Sequence, residues 1–389
     1  MLNSFSLKND IFKYEDIYEY SKMFYVNYIN NLLSMGYYNL AFSFFKLYIK
    51  ILGKNIKNKE NLQIILSLVY ELIEEDVNYF IELIIKLTTK IEPGQLERFE
   101  YLLNIILLKY FAITNNKNIF DSQLRKIEDS SYYDKYNLYL KLSLQLLSYD
   151  MKVRRMDDKD NDLENDLKKF KHNTKKNRFN RFYIEANILI TVYYQNKARF
   201  SEALKYCEKA ISKAKKSSNH KLIQKSELEK ANIYFKINLY EECKSILTDN
   251  LKLIPSNGSS SNKLNYYNLF IKLALYEKRC DSGNWNTNVN NYLMKTLELS
   301  IRNINFDNII TVAYMHSINT EFKSKISSNN ENRGLLNFNR SMLEKFMKTS
   351  NDLLNSYLLF SLTIENGFNI AYLLKKNVEK YIKEIFIIK

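Results

Sequence analysis

The sequence has very little glycine and proline, with seven glycines and two prolines, Pro93 and Pro255, in 389 residues. All-β proteins and Rossmann-type proteins need both residue types at their many tight turns. The scarcity therefore argues against those folds and favours long helices joined by polar loops. Hydrophobic residues make up 46% of the chain, and 31 tyrosines and 23 phenylalanines supply the bulk of a large core.

Cysteine and histidine are also scarce, at three residues each. Three cysteines make no disulfide framework and indicate a reducing compartment. No pair of histidines or cysteines has metal-ligand spacing, and the glycines are scattered singly, so no phosphate-binding loop is present. We therefore predict a protein that is not an enzyme and that has no cofactor and no catalytic or metal-binding residues.

Long apolar runs are missing as well. The longest, such as residues 62–73, are too short or too interrupted to span a bilayer. The N-terminus has no apolar segment of signal-peptide length. These features predict a soluble, intracellular protein without a membrane partner.

Positive charge is in excess, with a net charge of +15. Residues 1–149 contain 17 basic and 17 acidic residues, so the whole excess lies beyond residue 150. A basic balance points to nucleic acid as a partner class. The alternative is codon bias, because an AT-rich genome also produces chains rich in Lys, Asn, Ile and Tyr.

The segment of residues 150–182 is strongly charged and has few apolar residues, which predicts a charged linker with at most one polar helix. Its second half is basic throughout. Such a run can contact phosphates, with Phe170 and Phe179 available for stacking on bases; the alternatives are a solvated linker and a nuclear-import signal. The predicted basic patch consists of Lys168, Lys169, Lys171, Lys175, Lys176, Arg178 and Arg181.

Helical spacing of apolar residues continues through most of the remaining chain, with a helix break at Pro93. Serine- and asparagine-rich stretches at residues 256–263 and 324–333 predict flexible linkers. We therefore expect an N-terminal helical-repeat region (1–149), the charged linker (150–182), a central repeat region (183–325) and a C-terminal helical region (326–389).

Two central stretches, residues 184–215 and 224–255, each predict two helices joined at an aromatic-plus-acid turn, at residues 199–203 and 239–243. A hairpin of this kind cannot bury its own apolar face and must stack on neighbours. Small side chains are expected where the helices touch. We predict that Ala203, Ala210 and Ala231 are buried at helix contacts, and that Cys207 and Cys243 are buried thiols.

Both hairpins resemble the tetratricopeptide repeat (TPR) at that family's packing positions. The residues that carry the resemblance are Ala186, Ile190, Tyr194, Phe200, Ala203, Cys207 and Ala210 in the first hairpin, and Ala231, Tyr234, Tyr240, Cys243, Leu247 and Pro255 in the second. A third match begins near Lys22 and includes Gly36. The first hairpin departs at Asn187 and Thr191, where the family usually has Trp and Gly. The resemblance implies an all-α fold, a right-handed α-solenoid of degenerate TPR-like helical hairpins; an ordinary helical bundle is the alternative.

Residues 60–130 resemble the N-terminal solenoid of the TPR subunit of the cohesin-loading complex. The similarity lies in a helix that ends in Glu74-Glu75 and a later long helix that starts with Arg98, Phe99 and Tyr101. It implies a sleeve around an extended segment of a large partner subunit, a role in cohesin loading onto chromatin and a nuclear location. A TPR subunit of the anaphase-promoting complex is similar in its long repeats. From the residues alone, the acidic run at 74–76 is a solvated helix end.

In TPR hairpins the first helix lines the groove that holds a partner, and several of its residues here are apolar. We therefore expect a scaffold or adaptor that grips an extended segment of a larger protein. A basic nucleic-acid-associated protein, for which contact with nucleic acid would be indirect, and a bacterial peptide-sensing regulator are the alternatives. The predicted groove consists of Met23, Val26, Leu33, Ile188, Val192, Gln195, Leu228, Asn232 and Phe235.

Overall fold

The structure is a computed structural model that describes residues 14–88, 99–129, 138–155 and 162–279, except for residues 115, 251–252 and 255–257, together with isolated residues between 292 and 303. Every regular element in these ranges is helical, and none of the described residues forms a β-strand. The prediction of an all-α protein is therefore confirmed. The main helices are α1 (Tyr14–Met35), α2 (Tyr38–Leu52), α3 (Lys59–Leu72), α4 (Val77–Thr88), α5 (Glu100–Ile113), α6 (Lys117–Glu128), α7 (Leu138–Arg155), α8 (Leu163–Lys176), α9 (Asn180–Asn196), α10 (Phe200–Lys216), α11 (His220–Lys236), α12 (Tyr240–Ser245) and α13 (Ser260–Arg279).

The helices from α8 to α12 are joined by turns of one type that recur every 20 residues. Arg178, Ala198, Ser218 and Asn238 have positive φ angles of 60°, 54°, 51° and 64°. In each turn the next residue donates its N–H to a carbonyl five residues earlier, for example Arg199 to Tyr194 at 2.8 Å. This is the Schellman closure of a helix C-terminus. Consecutive helices consequently fold back on each other. The turns at Arg199 and Leu239 lie where the sequence predicted them.

Small side chains form the contacts between these helices. Ala203, Ala210 and Ala231 are fully buried, as predicted. Ala203 lies in a cluster with Leu167, Ile190 and other apolar residues from α7 to α11. Small residues are needed there because helix axes that pack closely lie about 8–10 Å apart.

The predicted charged linker is largely helical. Leu163, Leu167, Phe170 and Thr174 recur on one side of α8 and are buried. The apolar residues of this segment are few, but they share one face, and that face packs onto α7 and α9. The described residues up to Tyr266 form one compact unit, and those from Tyr267 onward belong to a second one. The predicted boundaries at residues 150 and 183 therefore fall inside a compact unit.

Two further linker predictions have different outcomes. Ser259, Ser260 and Asn262, within the predicted flexible stretch 256–263, are buried at the start of α13. The stretch 324–333 lies outside the described residues, as do Pro93 and the C-terminal region from residue 326.

The turn between α1 and α2 contacts the start of α11. Gly36 has a φ of 84°, and a Cβ atom at this position would lie 2.4 Å from the backbone nitrogen of Lys221. Asn219 Nδ2 donates to the Ser34 carbonyl at 3.0 Å, and the ring of Tyr37 stacks on His220 at 4.6 Å. The N-terminal helices are thus held directly against the central hairpins.

Candidate partner-binding surface

One face of α9 and α11 carries charged and amide side chains at successive helical turns. Side-chain contacts join the helices: for example, Lys225 Nζ lies 3.7 Å from a carboxylate oxygen of Glu185, and Gln195 Nε2 donates to Glu229 Oε2 at 2.9 Å. The 3.6-residue period places the members on one side of each helix. We call this surface the charged face; it consists of Arg181, Glu185, Gln195, Lys221, Lys225, Glu229, Asn232 and Lys236.

The acidic end of α3 contacts the charged face. Arg181 Nη1 donates to Glu71 Oε2 at 2.8 Å, and Lys221 Nζ donates to Glu74 Oε2 at 2.8 Å. Lys109 of α5 lies 3.2 Å from the other carboxylate oxygen of Glu74. The prediction of a solvated acidic helix end is therefore wrong, because cations from three other helices surround these carboxylates.

These two carboxylates are held in the ionised form. Burial alone would raise the pKa of Glu71, but the charges of Arg181 and Lys109 and hydrogen bonds from Arg181 and Tyr139 outweigh it and lower the pKa to about 2. Burial acts in the same direction on Glu74, and Lys109 and Lys221 outweigh it, so its pKa lies well below the ordinary value. The contact between α3 and the charged face is therefore ionic at neutral pH.

Glu75 differs from Glu71 and Glu74 because its side-chain hydrogen bonds are made with a serine. The backbone N–H of Ser260 donates to Glu75 Oε2 at 3.0 Å, and the Ser260 hydroxyl donates to the Glu75 carbonyl at 3.0 Å. Burial raises the pKa of Glu75, although the charge of Lys221 and the bonds from Ser260 act against it. Glu75 thus fixes the start of α13, which explains why the serine-rich stretch is not a flexible linker.

The C-terminal half of the charged face holds a network of amides and charges. Asn232 Nδ2 donates to Gln195 Oε1 at 3.1 Å, and Lys236 Nζ donates to the same oxygen at 3.0 Å. Burial raises the pKa of Glu229, and the bond from Gln195 and the charges of Lys225 and Lys236 offset only part of that rise. Two residues of the predicted groove, Gln195 and Asn232, are therefore brought into direct contact.

The apolar residues of the predicted groove lie mostly in the core. Ile188 and Leu228 are only 2% and 3% exposed, and Ile188 packs against Ala210 and Leu222. Val192 is half-buried against the core cluster around Ala203, and Phe235 is half-buried against Tyr240. Ile188 and Leu228 are therefore buried by other parts of this chain.

The N-terminal members of the predicted groove lie on α1. Leu33 is buried, Val26 is half-buried and Met23 is 58% exposed beside the equally exposed Phe24. No described contact joins these three residues to the groove residues of α9 and α11. They therefore do not extend the charged face.

The predicted groove on α9 and α11 did not include the charged residues that share its helical stripe. Arg181, Glu185, Lys221, Lys225 and Glu229 occupy the same helical stripe as the predicted groove residues. The signal that could have identified them is spacing, because Arg181 and Glu185 stand at i, i+4, as do Lys221 and Lys225.

The predicted basic patch is not one surface. Arg181 points inward to Glu71, while Lys168 pairs with Glu164 at 2.5 Å and Lys169 with Asp166 at 3.8 Å. The other four members, Lys171, Lys175, Lys176 and Arg178, have no ion pair among the described residues. The patch is divided because a helix of 3.6 residues per turn distributes consecutive lysines around its circumference.

The two cysteines of the hairpins are buried, as predicted. Cys207 donates its S–H to the Ser226 carbonyl at 3.2 Å. Burial raises the pKa of both thiols, that of Cys243 to about 12. Both side chains therefore stay protonated and act as small apolar packing groups.

No protein-family model matches the sequence, and no characterised protein matches it. Across the described part of the chain, no helix has both the length and the apolar character needed to cross a bilayer.

Proposed function

We propose that this protein is a non-catalytic scaffold or adaptor, built as an α-solenoid of TPR-like hairpins, which holds an extended segment of a larger protein on the C-terminal half of its charged face. The observation that carries the proposal is the network of Gln195, Glu229 and Asn232, with hydrogen bonds of 2.9 and 3.1 Å between helices of two successive hairpins. Gln195 is buried and its amide is engaged within this network, whereas Asn232 and Glu229 are half-buried and can offer polar groups to the backbone of an extended peptide.

The repeated geometry supports the solenoid part of the proposal. Turns of one type recur every 20 residues from Arg178 to Asn238, and α9 and α11 occupy equivalent places in successive hairpins. Successive repeats present equivalent faces side by side, which is how solenoid proteins build an extended binding surface.

The chemistry of Glu229 indicates what the partner segment carries. Its carboxylate is half-buried and its local partners do not fully offset the cost of burial. A lysine or arginine of the partner would supply the missing positive charge through a charge-assisted hydrogen bond. The proposed partner segment is therefore extended and has a basic side chain opposite Glu229.

Site-specific photo-crosslinking tests this proposal. A photoreactive side chain at position 232, on the charged face, should capture one protein reproducibly from the native host, and mass spectrometry should place the link in an extended segment with a basic residue. The same group at position 126, exposed on α6, should not capture it. Capture of the same protein from both positions would contradict the proposal.

A matched pair of variants tests the role of Glu229. Glu229→Gln keeps the shape and removes the charge, so the affinity for the captured partner should fall about tenfold, the effect of one charge-assisted hydrogen bond. Glu241→Gln removes the same charge at an exposed position on α12 and should leave the affinity unchanged. Equal affinities for the two variants would show that Glu229 does not contact the partner.

A further inference from the structure

A second surface lies on α8 and α10, away from the residues of the charged face. The two helices are neighbours in space, since Lys171 Nζ of α8 lies 4.9 Å from the ring centroid of Tyr206 on α10. Lys209 Nζ lies 5.0 Å from the same ring. Lysines from two helices thus converge on one tyrosine, although they are far apart in the sequence.

Positive charge predominates on this surface. Together α8 and α10 contain ten lysines and four acidic residues. Besides Lys176, six of the lysines form no ion pair with any residue that the structure describes. We call these six the lysine face; they are Lys171, Lys175, Lys205, Lys209, Lys213 and Lys216.

The charges of the lysine face are close enough to repel one another. The pKa of Lys171 is lowered by burial and by the charges of Lys209, Lys168 and Lys175. The nearby carboxylate of Glu164 is already paired with Lys168. An anion bound at this face would therefore relieve repulsion that the protein itself leaves uncompensated.

The lysine face borders an open cleft of about 490 Å³ on α10. One of the residues that line the cleft, Glu208, is acidic, and its carboxylate lies 3.5 Å from Lys230 Nζ. Its other lining residues are polar, basic or aromatic: Tyr183, Lys205, Lys209, Ser212, Lys213 and Lys216. The cleft consequently presents ammonium groups and hydroxyls, with the ring of Tyr183 at its wall.

The lysines of α10 form a regular row. Lys205, Lys209 and Lys213 are four residues apart, so their Cα atoms follow each other at about 6 Å along the helix. The row continues to Lys216 and extends over roughly 17 Å. A linear polyanion with evenly spaced charges matches such a row, because each ammonium can reach a successive anionic group.

Two observations distinguish between classes of polyanion. No large apolar side chain among the described residues of α8 or α10 is strongly exposed, so this face has no group to insert into a lipid surface. Protein interfaces are depleted in lysine, whereas nucleic-acid interfaces are strongly cationic. Nucleic acid therefore fits the lysine face better than a membrane or an acidic protein.

We propose that the lysine face and its cleft bind the phosphodiester backbone of a nucleic acid strand. The ammonium groups of Lys205, Lys209 and Lys213 contact successive phosphates, and Tyr183 and Tyr206 offer rings beside the row. Recognition through phosphates carries no sequence preference of its own. The lysine face shares no residue with the charged face, so this binding is independent of the proposed protein partner.

The test is fluorescence anisotropy with the full chain and labelled oligonucleotides of about 20 nucleotides, as single-stranded RNA, single-stranded DNA and duplex DNA. The triple variant Lys205→Gln, Lys209→Gln, Lys213→Gln should bind roughly 10- to 50-fold more weakly at about 0.15 M salt. For a single strand its slope of log affinity against log salt should be smaller by about 2. The three oligonucleotides identify which form of nucleic acid supplies the backbone.

The matched control is the triple variant Lys50→Gln, Lys59→Gln, Lys126→Gln, which removes the same charge from exposed positions on α2, α3 and α6. Circular dichroism verifies that both variants are folded. Equal losses of affinity in the two variants would overturn the proposal, because binding would then depend on net charge alone. Equally strong, lysine-face-dependent binding to a polyglutamate peptide or to phosphatidylserine vesicles would overturn it too.

Discussion

Replacing Gly36 with alanine should loosen the contact between the N-terminal helices and α11. Gly36 has a φ of 84°, and because it has no side chain the turn lies directly on the backbone of Lys221 and His220. A Cβ atom added at Gly36 would lie 2.4 Å from the backbone nitrogen of Lys221 and 2.8 Å from that of His220. Backbone atoms cannot move aside as a flexible side chain does. The two segments must therefore separate, or the turn must change its conformation.

The chain offers a matched control in Gly53. This glycine also has a positive φ, 49°, but an added Cβ atom would meet nothing within 4 Å. Gly53→Ala therefore measures the backbone cost alone, about 1 kcal/mol after the entropy gain in the unfolded chain is subtracted. Gly36→Ala adds an overpacking cost of about 1–3 kcal/mol, for a total of about 2–4 kcal/mol.

Thermal unfolding followed by circular dichroism measures both effects. At about 2 °C per kcal/mol for a unit of this size, Gly36→Ala should lower the Tm by about 4–8 °C and Gly53→Ala by about 2 °C. Far-ultraviolet spectra at low temperature should show the same helix content in both variants. Equal shifts in Tm would refute the close contact between the α1–α2 turn and α11.

Two further variants test the seam and the ionic contact. Ala203→Phe should destabilise the protein by about 1–3 kcal/mol in chemical denaturation, because its position is fully buried; an unchanged midpoint would show that the helix seam is elsewhere. Glu71→Gln should cost about 1–3 kcal/mol at pH 7, since it removes one of the two carboxylates that pair with the Arg181 guanidinium and leaves only Glu185. The pKa of Glu71 is lowered from 4.5 to about 2, so its stabilising effect is complete above pH 4.5 and is lost as the pH falls toward 2. The wild type should therefore lose its advantage over Glu71→Gln in that pH range, and a constant difference in unfolding free energy from pH 7 to 2 would contradict the ionic contact.

The sequence alone determined the helical class of the chain and the seams of the central hairpins. Scarce glycine and proline, together with helical periodicity, predicted an all-α chain, and small residues at Ala203, Ala210 and Ala231 predicted buried helix contacts. These features are local, because an amphipathic stripe and a small-residue seam are encoded within about 20 residues of the chain. The turns at Arg199 and Leu239 were predictable for the same reason.

Only the tertiary structure decided which charges are buried. Arg181 and Glu71 are 110 residues apart in the sequence, Lys221 and Glu74 are 147 apart, and Ser260 and Glu75 are 185 apart. The local sequence around a carboxylate does not show whether it is hydrated or paired in the interior. The acidic end of α3 therefore gave no sign of its partners. The same holds for the lysine face, where α8 and α10 contribute side by side although α9 separates them in the chain. Charge–charge contacts depend on distances in space, and those distances are fixed only when the helices pack.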